Sequence, residues 1–525
     1  MLGRAWSQPP RTVVVAASGA AKAPRHTLTA MTYNLLADKY ARGGWHGYCP
    51  PQHLTWDSRR ERILQEIESY SSDIICLQEV EAQVFAGELQ PWLAARGYRG
   101  HYLPRQYGDS VHGPPEGVAL FYRTEVFDLE QQHSFLFNSV PTSPPAPGSA
   151  LASLADAEEP SAVGAAAAVV AAVTAAADTV GSGRASGSEV GAVVDSDAPQ
   201  AAAEAPVAST SGNAEAANSR KRERRSGSKA RGASGSGSED SSDEEEERRA
   251  AASGSGNGGG GASTSGRGRS NEFWSMFKKR QEGAILALLR HRASKRQLLA
   301  ACTHLFWNPA FADVKAFQAT VLCSEMAGFL TRHVGPDAPS SVPVVLGGDF
   351  NSVACKRVPD VFDPKLPRDG QASGVYALLT RGSLPPSHPD HPASRRRPGE
   401  AANADFKGQP LTTSGIQLAS SYVVAHGMDP PLTTRTNNFA GCLDYIFVSP
   451  RHFDVLRTLE LPYEHSSGEE APRGDPGRGG AGGGKGEAAG TYPGVRDPMD
   501  VPFPPIPNEV FPSDHLSLAV VLGLR

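Results

Sequence analysis

Between about Pro141 and Ser270 the chain almost stops supplying large apolar side chains, and Ala, Gly and Ser take over. A stretch of that composition cannot bury enough surface to offset the entropy lost on ordering it. It carries a basic cluster, Arg220 to Arg225, and an acidic run, Glu239 to Glu247. Such blocks read as solvated linker, with a nuclear-import or phosphorylation signal as the sharper alternative. Residues 466–490, rich in Gly and charge, form a second stretch of this kind, a flexible loop. Whatever folds must therefore be assembled from residues 28–140 and 271–525.

The chain has 525 residues, a length that suggests two or three domains. The two remaining blocks argue for one. Strand-like text ends the first and opens the second, as if a surface hairpin had been interrupted at its tip, where long insertions cost little. The expectation is a single discontinuous domain, 28–140 plus 271–525, with 141–270 a disordered insert. Within the blocks, apolar strands alternate with amphipathic helices. Strands are expected at Thr29–Leu36, Asp73–Glu79, Gly117–Arg123, Ala284–Leu289, Leu298–Leu305, Val342–Asp349, Leu443–Ser449 and Leu516–Leu522. One helix opens on Ser58-x-x-Glu61, a capping box, and sets Ile63, Ile67 and Tyr70 on one face. Another follows Pro309, with Val314, Phe317 and Val321 at helical spacing. This is an α/β pattern of sheets covered by helices.

Composition narrows the function classes. The net charge is −5 and the pI about 6.3. No overall basic bias draws the chain to nucleic acid, so a polyanion must be met by a local patch or a bound cation. The six cysteines form no C-x-x-C pair, which argues against zinc and a disulfide framework and for a reducing compartment. The cytoplasm is the expected location, with the nucleus or an organelle as alternatives. Residues 1–27 contain Arg4, Arg11, Lys22 and Arg25 and no acid, the composition of either a transit peptide or a short disordered leader. Ala162 to Ala177 is too short and too weakly apolar to be a membrane span.

Polar residues able to do chemistry recur at strand ends: Asn34, Glu79, His304, Asp349 with Asn351, Asp444, and Asp514 with His515. Each alone has a duller reading, as a turn cap, an exposed carboxylate or a hydrogen-bonded core histidine. Together, on strands that neighbour in a sheet, they could converge on one rim.

The motifs carrying them are Thr32-Tyr33-Asn34-Leu35-Leu36, Leu77-Gln78-Glu79-Val80, Thr303-His304-Leu305, Gly348-Asp349-Phe350-Asn351-Ser352, Leu443-Asp444-Tyr445-Ile446 and Pro512-Ser513-Asp514-His515. This constellation resembles the endonuclease/exonuclease/phosphatase superfamily, to which deoxyribonuclease I belongs. Longer text is similar to the catalytic domain of carbon catabolite repressor protein four, a poly(A) deadenylase: residues 33–41 (YNLLADKYA), 47–50 (GYCP), 73–81 (DIICLQEVE), 304–315 (HLFWNPAFADVK), 373–379 (SGVYALL), 439–447 (FAGCLDYIF) and 507–516 (PNEVFPSDHL). The resemblance implies a four-layered α/β sandwich, two mixed sheets face to face with helices outside. It implies a magnesium-dependent 3′-5′ exoribonuclease acting on RNA with a 3′ poly(A) tail, with one or two ions and manganese as a substitute.

By that resemblance Asn34, Glu79 and Asp514 hold the metal. Asp349 activates water, Asn351 binds the phosphoryl oxygen, Asp444 orients His515, and His304 and His515 stabilise negative charge. Pro309 and Phe439 sandwich an adenine; the plainer reading is that Pro309 starts a helix and Phe439 packs in the core. Glu116-Gly117-Val118 stands where the family often has Asp-Gly-Cys, a departure near the site. The N-terminal leucine-rich repeats of many such deadenylases are not seen, which bears on docking to deadenylase-complex subunits. The rival readings are a nicotinamide dinucleotide 2′-phosphatase, a 2′,5′-oligoadenylate phosphodiesterase and an inactive RNA-binding scaffold.

Overall fold

The structure is a computed structural model that describes residues 6–7, 26–105, 115–141, 271–397, 400–463 and 495–525. The leader up to residue 25 apart from Trp6–Ser7, the insert from residue 142 to 270 with both its charged blocks, and the Gly-rich loop 466–490 lie outside the described residues.

The longer strands are β1 (His26–Asn34), β2 (Ile74–Glu81), β3 (Tyr98–Pro104), β4 (Glu116–Arg123), β5 (Phe127–Leu136) and β6 (Gly283–His291). They continue with β7 (Gln297–His304), β8 (Val344–Asp349), β9 (Asp444–Val448), β10 (Phe453–Leu459) and β11 (Leu518–Leu524). Among the described residues one sheet has seven strands, in the order Trp6–Ser7, β10, β11, β1, β2, β4, β3. The other has six, in the order Ala419–Ser420, β9, β8, β7, β6, β5. Both are mixed: β1 runs parallel to β2 and β7 parallel to β8, and their other pairings are antiparallel.

Strand alternation builds the layers. Along β1 and β2, Leu28, Ala30, Ile74 and Cys76 face the second sheet, where they meet Ile285, Ala300, Cys302, Val345 and Ile446. The intervening Met31, Tyr33, Ile75 and Leu77 face outward onto Ile63 and Ile67 of helix α1 (Trp56–Tyr70). On the far side, helices α2 (Phe273–Lys279), α3 (Ala312–His333) and α4 (Gly374–Arg381) cover the second sheet through Phe277, Val314, Phe317, Val321 and Leu378. The result is the four-layered α/β sandwich. Truncating a residue such as Ile67 to Ala would cost about 2–5 kcal/mol, because the packed layers cannot collapse onto the void.

The sheets approach closely at Gly347 of β8. A Cβ there would lie 2.9 Å from the Cys76 sulfur and 3.3 Å from Thr32 Cβ. Only glycine fits, because the opposing side chains are themselves buried.

Two of the longer strands, β3 and β10, were not expected, and β5 is the strand-like end of the first block. β3 is broken up by Gly100 and ends on Pro104; β5 is a polar edge strand; β10 is a short alternating strand beside the edge. The capping box is also corrected. Helix α1 begins at Trp56, so Ser58 lies inside its first turn and its hydroxyl donates to the Thr55 carbonyl at 2.8 Å. The Trp56 N–H is instead taken by Asp38 Oδ1 at 2.8 Å. β5 and β6 pair antiparallel from Phe127 opposite His291 to Leu136 opposite Gly283. The strands on either side of the interruption thus pair at one edge of the second sheet. None of the six cysteines is bridged. Among the described residues no helix is long and apolar enough to cross a membrane.

Candidate active site

The polar residues cluster because they continue the inward-facing alternation past the last apolar layer. His304, Asp349 and Asp444 end or open β7, β8 and β9, and they are direct cross-strand neighbours in register. On the opposite sheet Asn34 ends β1 beside Gln78 of β2. Glu79 is out of phase: Ile74, Cys76 and Gln78 point inward, so position 79 should point away. A β-bulge between Leu77 and Val80 corrects this, with Glu79 at φ +55°. An added residue re-aims a side chain in this way. Glu79 therefore sits at a bulge within β2, not at the strand end the sequence suggested. Gln78 stays inward and forms the floor, bonded to Thr32 Oγ1 at 3.2 Å and the Cys302 sulfur at 3.5 Å.

Asp349 is the hub. Its Oδ1 accepts the Asn351 N–H at 2.8 Å, and its Oδ2 accepts Asn34 Nδ2 at 3.1 Å. The ring nitrogens His304 Nε2 and His515 Nε2 lie 3.5 and 3.8 Å from the same Oδ2. Asn34 Nδ2 also donates to Glu79 Oε1 at 2.9 Å, which ties the two carboxylates through one amide. Asn351, at φ +48°, presents Nδ2 to His304 Nε2 at 3.0 Å. Lys315 on α3 donates to the Asn351 carbonyl at 2.7 Å and pins that unusual backbone. Behind His515, Asp444 Oδ2 takes Nδ1 at 2.8 Å, and Thr433 Oγ1 donates to the same oxygen at 2.5 Å.

Burial sets the charges. It pushes the Glu79 carboxyl up to about 6, with Asp514 and Glu116 adding to the effect. It lifts Asp349 to about 7, where His515 opposes and Asp444 reinforces the rise. For His515 burial favours the neutral ring, but Asp444 and Asp349 outweigh it and hold the imidazolium well above its ordinary range. His304 goes the other way: burial, with Arg105 and His515 nearby, keeps it neutral. The two histidines beside the same Asp349 oxygen are thus pushed in opposite directions. Asp349, Asp444 and His515 also present ligand atoms within 4.8 Å of one another. Since His515 and Asp444 already bond each other, that trio is arranged as an acid–base relay more than as a metal cage.

The model of the Endonuclease/Exonuclease/phosphatase family matches residues 31–166 and 290–515, a span that holds every one of these side chains. The chain belongs to the endonuclease/exonuclease/phosphatase family. Among curated relatives, CCR4-NOT transcription complex subunit 6-like-A of Xenopus laevis is 26% identical over 452 residues, covering 83% of this chain and 58% of that protein. The CCR4-Not complex 3′-5′-exoribonuclease subunit Ccr4 of Mycosarcoma maydis is 22% identical over 457 residues, 83% of this chain and 46% of its own. The chain thus spans about half the length of the curated relatives it matches. Among solved structures, ANGEL2, a 2′,3′-cyclic phosphatase, in complex with adenosine-2′,3′-vanadate, aligns over 96% of this chain and 99% of its own at 17% identity and a TM-score of 0.49.

In this family member several supports escaped the sequence reading. Arg59 of α1 is fully buried and donates to the carbonyls of Leu35, Leu36, Leu54 and Pro512 at 2.7–3.0 Å. It locks the turn after Asn34 to the turn before Asp514. His46, also buried, brings Nε2 to 3.2 Å from Asp514 Oδ2. Burial disfavours the Asp514 carboxylate, yet His46, His515 and Arg59 outweigh it and hold the group below its ordinary range. The other oxygen, Asp514 Oδ1, is buried with no hydrogen-bond partner. Glu116, at the family departure, is buried against Tyr40 and Arg105 at 3.1 and 3.3 Å. Pro309 opens a short 3-10 turn, as the plainer reading had it, and is exposed. Phe439 does not pack in the core: it is 43% exposed, on a turn between Thr434–Arg435 and Ala440–Gly441, with its ring over Gly441.

Proposed function

We propose that the chain is a magnesium-dependent 3′-5′ exoribonuclease that shortens poly(A) and releases AMP. The observation that carries this reading is the hub at Asp349: a carboxylate held by two amides and flanked by two histidines. The 3′-5′-exoribonuclease name borne by a relative supports the reaction class. The CCR4-NOT names support assembly with deadenylase subunits, and with them a cytoplasmic or nuclear setting.

The donor set fits a hard divalent cation. Glu79 and Asp514 are close enough to raise the Glu79 pKa, and the buried Asp514 Oδ1 lacks any partner. Oxygen ligands of this kind suit magnesium, with manganese as a substitute. Glu79 and Asp514 would hold it, joined by Asn34 with its amide turned to offer Oδ1. When bound, one ion or two would supply positive charge against the phosphoryl oxygens and the leaving 3′-oxygen.

The chain's own groups do the rest. Asp349 orients a water and takes its proton as the oxygen attacks phosphorus. Asn351 Nδ2 donates to a phosphoryl oxygen. His515, fixed at Nδ1 by Asp444, directs Nε2 at the developing negative charge, and His304 lines the same side. Pro309 and Phe439 would close on the terminal adenine, where stacking tolerates any base and added hydrogen bonds must select the purine.

The test is a labelled RNA with a 3′ oligo(A) tail, incubated with and without magnesium. Oligo(U), a nicotinamide dinucleotide 2′-phosphate and a 2′,5′-linked oligoadenylate run in parallel. Stepwise shortening of the tail with AMP release, only with the metal, is the expected result. Hydrolysis of the dinucleotide phosphate or the 2′,5′ linkage with the tail intact would replace this reading.

A further inference from the structure

Two tryptophans stand exposed beside the site, and the chemistry above uses neither. Trp45 is 50% exposed and Trp307 40%. They come from sequence-distant loops yet meet edge to face, with ring centroids 6.5 Å apart. Each is next to a residue turned the other way. His46 is buried and bonded to Asp514, and Phe306 is buried under the Arg280 guanidinium. The backbone therefore anchors inward at both places and holds the indoles outward. Trp45 is further seated on the turn at Gly43, where a Cβ would already touch its ring at 3.4 Å.

Their position ties them to the site. Trp307 follows His304 by three residues, at most about 11 Å of chain, and precedes Pro309 by two. Trp45 precedes the histidine that bonds Asp514. The pair thus lies next to the adenine platform, between the loops that carry groups from both sheets. Tryptophan is usually well covered in a folded protein. Two half-exposed indoles in contact offer open aromatic faces and no array of polar groups, which is how a sequence-tolerant base platform is built.

We infer that Trp45 and Trp307 form a second stacking subsite, for a nucleobase upstream of the reacting nucleotide in a single-stranded RNA. This rests on the exoribonuclease reading and deepens it: the enzyme would grip its strand through a base it does not release. The rings touch no reacting atom, so their contribution belongs in binding. Removing one stacked base should raise KM by about ten-fold, within the range for such contacts.

The experiment uses the full chain as wild type, Trp45→Ala, Trp307→Ala, the double variant and Trp307→Phe. Substrates are oligo(A) and a set in which an abasic nucleotide is placed in turn at each position upstream of the 3′ end. At one upstream position the abasic change should raise the wild-type KM about ten-fold and leave kcat unchanged. The double variant should lose the same factor on intact oligo(A) and nothing more on that abasic substrate. Trp307→Phe should restore most of the loss. Equal losses on intact and abasic strands would make the tryptophans packing residues, and no loss on either would remove them from the RNA path; both overturn the subsite. Should the wild type leave oligo(A) uncut, the exoribonuclease reading falls, and binding of labelled oligo(A) by anisotropy decides the subsite alone. It survives if the double variant binds about ten-fold more weakly, and it is overturned if the affinity is unchanged.

Discussion

The floor and the lip of the site are built on opposite principles. On the floor, Asn34, His304, Asp349, Asp444 and His515 are buried, and each is held by hydrogen bonds to other site groups. On the lip, Phe439, Trp45 and Trp307 are exposed rings on loops. The difference fits the roles proposed for each. Charge developing at phosphorus is stabilised only by groups already in place, because reorienting them would cost the energy they are meant to supply. A base can be stacked by a ring that settles on arrival. The floor should thus answer to small changes of position, and the lip to removal of surface.

The largest effect should come from the floor. Glu79→Ala should lower activity by about a thousand-fold or more and leave little response to added magnesium, since the bulge at this residue exists to aim that carboxylate inward. A magnesium titration with a circular dichroism control checks it, and wild-type rates at low magnesium would remove Glu79 from the metal. Asp444→Asn sharpens the comparison, because it keeps the shape of the floor and alters only charge. A loss of about a hundred-fold, mainly in kcat, is expected. If a change that small in size costs no more than a few-fold, the buried relay is not what fixes the rate.

On the lip, Phe439→Ala should reduce kcat/KM on oligo(A) by about ten- to a hundred-fold. The loss should be far smaller on a strand whose 3′ nucleotide is abasic, and equal losses on both would make the ring structural. The smallest effect belongs to neither region. Deleting 142–270 should change rates by no more than about two-fold, because the strands that flank them, β5 and β6, pair directly at a sheet edge. An insoluble or inactive product, made beside an active intact chain, would place the segment in the working domain.

What the sequence disclosed divides along similar lines. β7 and β8 are nearly unbroken apolar runs, so both the strands and the polar residues at their ends were legible. β5 was legible only as strand-like text without bounds: its Glu130, Gln131 and Gln132 suit an edge strand, whose limits nothing local separates from a loop. Glu79 was found by its motif, but the left-handed backbone that turns it inward depends on pairing with β4. Arg59 was hidden by its surroundings in the text. An arginine in the first turns of an amphipathic helix reads as solvated charge, and its burial is decided by carbonyls from residues 35, 36 and 512. His46 was likewise silent, since its partner Asp514 lies 468 positions away.

The close contact at Gly347 gives the thickness of the sandwich a second meaning. Asn34 and Glu79 ride on one sheet, and His304, Asp349 and Asp444 on the other, so the gap between the sheets is the gauge of the active site. One close point of that gap lies two residues along β8 from Asp349, where an added Cβ on Gly347 would meet Cys76 and Thr32. A single methyl group there would act as a shim and widen the distance across which catalytic groups must cooperate. Displacements of about 1 Å can cost a hundred-fold in rate. On the proposed reading, core residues far from any substrate would therefore calibrate the site, and a search for its determinants that stops at the rim would miss the part that holds the jaws at their setting.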